Sequence, residues 1–314
     1  MTETISSPRL PDAPPDNWVD RWAPASWRPY AKLARFDRPI GAWLLLFPCW
    51  WSQTLAELSL GRPYPNPWDL LLFLVGSFVM RGAGCAFNDF VDRDIDGKVA
   101  RTAGRPIPSG QVTPKQALAF TAALCLVGLV VLVQFNLFTI VLGASSLLLV
   151  AAYPFFKRFT YWPQVMLGLT FKWGALVGWA AVAGGLALPA VLLYAGSVLW
   201  TIGYDTIYAH QDKEDDLMAG LKSTALRFGD ATKPWVSGFY TGAVVLWTVA
   251  AMLAGGGVIV LVALAVAAAM LAWQVATLDM SDSANCLRRF KSNRDVGWVL
   301  FAGIVAEMAA RNWG

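Results

Sequence analysis

Apolar stretches about twenty residues long recur nine times along this chain of 314 residues, at approximately 40–60, 68–88, 114–134, 137–155, 162–184, 187–208, 234–254, 257–278 and 295–312. A helix crossing the roughly 30 Å hydrocarbon layer of a bilayer needs about that length. The composition agrees, with 56% of residues hydrophobic and only 15% charged, against about 25% charged in soluble domains. So apolar a chain has too little polar surface to cover a soluble globule. The expected fold class is an all-α membrane protein, a bundle of nine transmembrane helices. The last span, entered from Asp295, is the least hydrophobic.

The basic residues alternate with these spans. All but four of the 25 Lys and Arg residues fall on one side when the N-terminus is placed in the cytoplasm. Arg62 and Arg311 lie opposite, and Arg81 and Lys172 fall inside spans. The positive-inside rule then fixes the orientation. Residues 1–38 read as a polar cytoplasmic arm, with an interfacial segment near Trp18 and Trp27, and carry no apolar core of a signal peptide. Residues 39–314 read as one transmembrane domain. The lipid bilayer is thus the first partner, and no nucleic acid is expected. The expected location is a bacterial cell inner membrane. Loops on the far side barely turn the chain. The second-to-third and sixth-to-seventh connections, on the basic side, each run to about 25 residues. Long loops in compact proteins tend to carry function, so the active site is expected there.

Two acidic runs stand at those loops. In the first, Asn88, Asp92 and Asp96 are spaced by four, with Asp89 and Asp94 between them. In the second, Tyr208, Asp212 and Asp216 repeat the spacing, with Asp205 just before. Asp92 and Asp212 are 120 residues apart, as are Asp96 and Asp216. On a helix this spacing stacks like charges on one face, near a C-terminus whose dipole disfavours anions. A cation reverses both penalties, and Mg²⁺ takes one or two carboxylates with water or phosphate oxygens. Two such pairs suit two or more Mg²⁺ ions clamping a diphosphate. The plainer alternative is a solvated acidic loop, which two matching copies make less natural. A transporter is the non-enzyme rival, but its site belongs near the midplane, whereas these acids gather at one face.

Lys98, Arg101 and Arg105 follow the first run, and Lys222 follows the second. They are candidates for diphosphate oxygens, or simply topological charges. Arg81 stands seven residues before Asn88, hence on the same face, inside an apolar helix where a charge is costly. A carboxylate is its natural partner, either a substrate's or that of a structural acid such as Asp205. Lys172 sits mid-span without an evident role. His210, alone of its type, reads as a loop-end residue rather than a metal ligand. Gly174 and Gly178 read as a close helix–helix contact within the bundle. The four Cys residues are scattered, with no metal-binding spacing.

The paired runs resemble the signatures of the UbiA family of membrane prenyltransferases. The similarity extends to Arg101-Thr102-Ala103-Gly104-Arg105-Pro106, to Tyr153-Pro154-Phe155-Phe156-Lys157-Arg158, and to Lys222-Ser223-Thr224-Ala225. It covers about residues 35–312. The resemblance implies a central cavity capped by the two long loops, Mg²⁺ at Asp92, Asp96, Asp212 and Asp216, and a polyprenyl diphosphate donor. It implies an aromatic acceptor near Arg81, Asn88, Arg158, Asp205 and Tyr208. The flanking runs are most similar to the branch that prenylates 4-hydroxybenzoate in ubiquinone synthesis. Homogentisate, dihydroxynaphthoate, haem and chlorophyllide are the alternative acceptors. Lys172 departs from the small or neutral residue usual in the family.

Overall fold

The computed structural model describes residues 14, 16–97, 102–156, 159–218 and 220–313, apart from the side chains of Ile95, Pro154, Asp212, Glu214, Asp215, Asp216 and Trp313. Among the described residues every regular element is helical. In chain order these are α1 (Trp18–Trp22), α2 (Arg28–Leu33), α3 (Ile40–Ser59), α4 (Pro67–Asp96), α5 (Pro114–Leu132), α6 (Leu137–Phe156), α7 (Pro163–Phe171), α8 (Gly174–Ala183), α9 (Leu188–Ala209), α10 (Lys213–Met218), α11 (Thr224–Phe228), α12 (Thr232–Leu253), α13 (Val258–Ala276) and α14 (Ser283–Trp313). Short 3-10 turns at His210–Asp212 and Gly229–Ala231 complete the set.

All nine predicted spans carry helix, the fifth as the broken pair α7 and α8. Six stretches are long and apolar enough to cross a membrane on those grounds alone: Pro67–Asp94, Pro114–Leu132, Pro163–Ala183, Leu188–Ala209, Thr224–Leu253 and Val258–Ala276. Leu137–Tyr153 is a shorter apolar helix. α3 and α14 are outside that set; α3 carries Pro48, Gln53 and Glu57, and α14 carries Glu307, Arg311 and Asn312 beyond its basic first turns. Leu126, Val130, Leu148 and Val262 stand exposed, as lipid-facing residues do in such a protein.

The helix starts follow from local chemistry. Pro67, Pro114 and Pro163 occupy first positions, where the missing N–H costs nothing. Thr113 and Gln116 form a reciprocal cap on α5, with the Thr113 N–H donating to Gln116 Oε1 at 2.9 Å and the Gln116 N–H to Thr113 Oγ1 at 3.3 Å. Asn136 caps α6 by accepting from the Thr139 N–H at 3.0 Å.

The chain divides into two compact units, Met1–Ala42 with Val75–Val130, and Trp43–Leu74 with Val131–Gly314. In the first, Leu33, Ala86, Ile107, Val112 and Ala117 form a buried cluster flanked by Tyr30, Phe90 and Phe120. It fastens the loop after α4 and the arm helix α2 to the end of α4.

In the second unit, glycines bring helices together. Side chains at Gly174 and Gly178 would collide with Cys49 of α3, so α8 lies directly on α3. Gly196 and Gly203 likewise admit Trp247 and Tyr240 of α12 onto α9. Trp51, Trp200 and Trp247 meet with ring centroids 5.2–5.5 Å apart. Two buried glutamates close turns on the side that the sequence predicts to be poor in positive charge. Glu57 accepts from the Asn66 N–H at 3.0 and 3.2 Å, at the start of α4, and pairs with Arg62 at 3.1 Å. Glu307 accepts from the Ile259 N–H at 3.0 Å, at the start of α13, and pairs with Arg311 at 3.0 Å. Both place a carboxylate on the positive end of a helix dipole.

Candidate active site

The first acidic run occupies the last two turns of α4, which continues past the apolar window to Asp96. Asp89, Asp92 and Asp96 are buried, with 1%, 0% and 6% of their surface exposed, whereas Asp94 points to solvent. Their spacing of three and four puts all three on one side of the helix. Arg105 folds back over this side from the following loop. Its Nη1 donates to Asp96 Oδ2 at 2.7 Å and to Asp89 Oδ1 at 3.1 Å. The loop is held there by Thr102, whose hydroxyl donates to the Asp96 carbonyl at 2.8 Å, and by Ile107 in the core cluster. Burial pushes the Asp96 carboxyl above its usual range; Arg105 opposes this, and neighbouring Asp89 and Asp92 reinforce it.

Arg35, which precedes the first apolar span, completes the arrangement. Its Nη2 donates to both Asp89 oxygens, at 2.8 and 2.9 Å. Its Nη1 donates to the carbonyls of Lys32 and Leu33, at 3.0 and 3.3 Å. Arg35 adopts φ 60°, unlike any other described residue except glycine. Its only sequence signal was its place just ahead of the first span.

Arg81 lies on the same helix, two turns before Asn88. It donates to Cys85 and lies against Gly41, where any side chain would strike its guanidinium. Arg93 leans away, donating to the Phe90 carbonyl at 2.9 Å. Lys98, Arg101 and Arg158 lie outside the described residues.

The second run begins on α9, where Asp205 and Tyr208 occupy the last turns. The helix then tightens into the 3-10 turn His210–Asp212 before α10 carries the backbone of Asp216. A continuous α-helical register, expected from the spacing, is therefore interrupted at Asp212. The side chains of Asp212 and Asp216 lie outside the described set. Tyr208 packs on Phe290, with centroids 4.6 Å apart. His210 is buried against Thr232 at 2.9 Å, and desolvation, helped by Lys213, lowers its pKa to about 4. Lys222 donates to the Phe159 carbonyl at 3.2 Å and lies 5.3 Å from the Tyr161 ring. Its neighbour Ser223 caps α11.

Lys172 lies at the break between α7 and α8, not mid-helix. It is fully buried, 4.6 Å from the Trp200 ring and 5.3 Å from that of Tyr204. Its Nζ donates to the Leu44 carbonyl at 2.6 Å. That carbonyl would normally take the N–H four residues on, but residue 48 is proline and has none. The puzzling cation replaces a missing helical hydrogen bond.

Among the described residues no three His, Cys, Asp or Glu side chains are grouped as a metal centre. The donors of the first run nevertheless suit a hard divalent cation. They are buried carboxylate oxygens, with Asp96 raised first by burial and then by Asp89 and Asp92, an anionic cluster that Mg²⁺ would stabilise.

An all-helical membrane protein with aspartate runs at the ends of two spans, the first gripped by arginines, has the make-up of an intramembrane prenyltransferase. The chain belongs to the UbiA prenyltransferase family, whose model matches residues 45–302. The mitochondrial 4-hydroxybenzoate polyprenyltransferase of Arabidopsis thaliana is 51% identical over 92% of this chain and 71% of its own. The human protein of that description is 47% identical over 90% of this chain and 76% of its own. A UbiA homolog from Aeropyrum pernix superposes with a TM-score of 0.69 at 28% identity, over 84% of this chain and 98% of its own. A homolog from Archaeoglobus fulgidus, solved with GPP and Mg²⁺, has a TM-score of 0.61 at 16% identity, over 90% of this chain and 99% of its own, and shows the same fold.

These relatives correct the expected location. They are mitochondrial enzymes, which points to a mitochondrial membrane and not to a bacterial cell inner membrane. The physical reason for the error is simple. Charge asymmetry fixes which way a chain faces in a membrane, not which membrane holds it.

Proposed function

We propose that this chain transfers a polyprenyl group from polyprenyl diphosphate to 4-hydroxybenzoate, giving 3-polyprenyl-4-hydroxybenzoate for ubiquinone synthesis. The observation that carries this reading is identity near 50% across nine-tenths of the chain to enzymes described as 4-hydroxybenzoate polyprenyltransferases. The allylic C–O bond breaks and the diphosphate leaves with the bonding pair. The ring carbon ortho to the hydroxyl forms the new C–C bond and then loses its proton.

Asp92, Asp96, Asp212 and Asp216 are the residues proposed to hold Mg²⁺. When bound, the cation neutralises diphosphate oxygens and improves the leaving group. Lys98, Arg101, Arg105 and Lys222 are proposed to take the remaining diphosphate charge. Arg81 pairs with the acceptor carboxylate, and Asn88, on the same face, orients the ring. Arg158, Asp205 and Tyr208 are proposed to complete the acceptor site. Residues 39–314 act as one catalytic domain.

The test is incubation of membranes containing the protein with labelled polyprenyl diphosphate and, in turn, 4-hydroxybenzoate, homogentisate and dihydroxynaphthoate. Product is expected with the first alone, and only with a divalent cation. Asp92→Ala and Asp212→Ala are each expected to abolish transfer while the protein stays folded. Normal turnover in both variants would refute the metal assignment.

A further inference from the structure

The first acidic run contains more carboxylates than a cation site needs, and Arg35 sorts them. Asp94 is turned to solvent and Asp89 has both oxygens engaged by one guanidinium group. Asp92 and Asp96 are the carboxylates proposed to take the cation. Arg105 divides its Nη1 between Asp89 and Asp96. The firmer Arg35 holds Asp89, the less Asp89 competes for Arg105. We propose that Arg35 is a positioning residue that keeps Asp89 out of the cation's ligand set and sets the affinity of the first aspartate motif for a divalent cation. The inference rests on the reading that Asp92 and Asp96 bind that cation.

Three features support it. The contact is two-pronged and buried, with 12% of the Arg35 side chain and 1% of that of Asp89 exposed, so water screens it little. The same guanidinium is braced from behind by the carbonyls of residues 32 and 33, which removes its freedom to turn away. The backbone is left-handed at φ 60°, a conformation unfavourable for any residue with a side chain. A residue under that strain is supported by what its side chain does.

The consequence has an unusual sign. Without Arg35, Asp89 is a bare buried anion that draws Arg105 off Asp96. The motif gains negative charge and a released carboxylate, so the cation binds more tightly. Without the Asp89 charge, the motif loses one negative charge and Arg105 settles on Asp96, so the cation binds more weakly. A merely structural contact would weaken binding, or leave it unchanged, in both cases.

The experiment measures Mn²⁺ alone binding to the purified full-length protein in detergent, by electron paramagnetic resonance. Arg35→Gly suits the left-handed backbone, so strain does not confuse the result. It is expected to tighten Mn²⁺ binding at least about fivefold. Asp89→Asn is expected to weaken it by a similar factor, and the double variant to return close to the unmodified protein. Weaker or unchanged binding in Arg35→Gly overturns the proposal. Should that variant not fold, unchanged or tighter binding in Asp89→Asn does so alone. Asp92→Asn separates the two levels. If it leaves Mn²⁺ binding intact, the underlying metal assignment is wrong; if it abolishes binding while Arg35→Gly fails to tighten it, only the role of Arg35 is.

Discussion

Replacing Lys172 by methionine removes the donor to the Leu44 carbonyl while keeping an unbranched side chain of similar length. The bond is short, at 2.6 Å, and its donor is a fully buried amine. A hydrogen bond contributes about 0.5–1.5 kcal/mol, and an abandoned buried carbonyl costs about 1–3 kcal/mol. The single variant mixes this loss with relief from burying the amine, and also loses the ring contacts to Trp200 and Tyr204. Pro48→Ala separates the contributions, because alanine returns to α3 the N–H that Leu44 lacks. Burial of the amine and the ring contacts change equally with or without it; satisfaction of the carbonyl does not. Lys172→Met is therefore expected to destabilise the protein by about 1–2 kcal/mol more when Pro48 is present than when alanine replaces it. Reversible unfolding in mixed detergent and SDS, followed by tryptophan fluorescence, gives the four stabilities. A coupling below about 0.5 kcal/mol would refute the argument that lysine substitutes for the helical donor.

Gly178→Ala directs a methyl group into the Cys49 backbone carbonyl and is expected to cost about 1–3 kcal/mol in the same assay, with Gly238→Ala, where space is open, as the neutral reference. Arg81→Ala is expected to raise the acceptor KM far more than the KM for the diphosphate, and Gly41→Ala to do so to a smaller degree by displacing the guanidinium; equal effects on both substrates count against a carboxylate role. Cys286 precedes the apolar part of α14, and its thiol is raised to about 11 by burial first and then by Asp282 and Asp279. In a variant retaining only that cysteine, maleimide labelling should stay slow from about pH 7 to 9, since the reactive thiolate is scarce below the pKa; fast labelling at neutral pH would contradict the burial.

Continuous apolar runs between basic loops made the helical spans legible from residue order alone, since both signals are additive along the chain. The break after Phe171 was not, since the residue at it, Lys172, finds its partner Leu44 more than a hundred positions away. The ends of α4 and α14 extend beyond their apolar parts for a related reason: hydropathy reports the slab, while helix continues as long as capping and contacts allow. The 3-10 turn at His210–Asp212 disturbed a register that the spacing of Tyr208, Asp212 and Asp216 implied. At the site, the carboxylates announced themselves by number and interval. Arg35 did not, since its partnership with Asp89 joins residues 54 apart and depends on a backbone angle that no local pattern encodes. Arg105 stood between these cases, visible as a charge but not as a bridge.

The glutamates at the turns before α4 and α13 bear on how the chain enters a bilayer. Arg62 and Arg311 are the two guanidinium groups that the orientation expected from the sequence puts on the side poor in positive charge, and each has a carboxylate as its companion. In that orientation, once these contacts form, the pairs on the far side are two dipoles with no net cationic charge. Exchanging Glu57 for glutamine would leave a guanidinium stranded across the membrane, and a fraction of molecules inserted with their first hairpin inverted would be its signature.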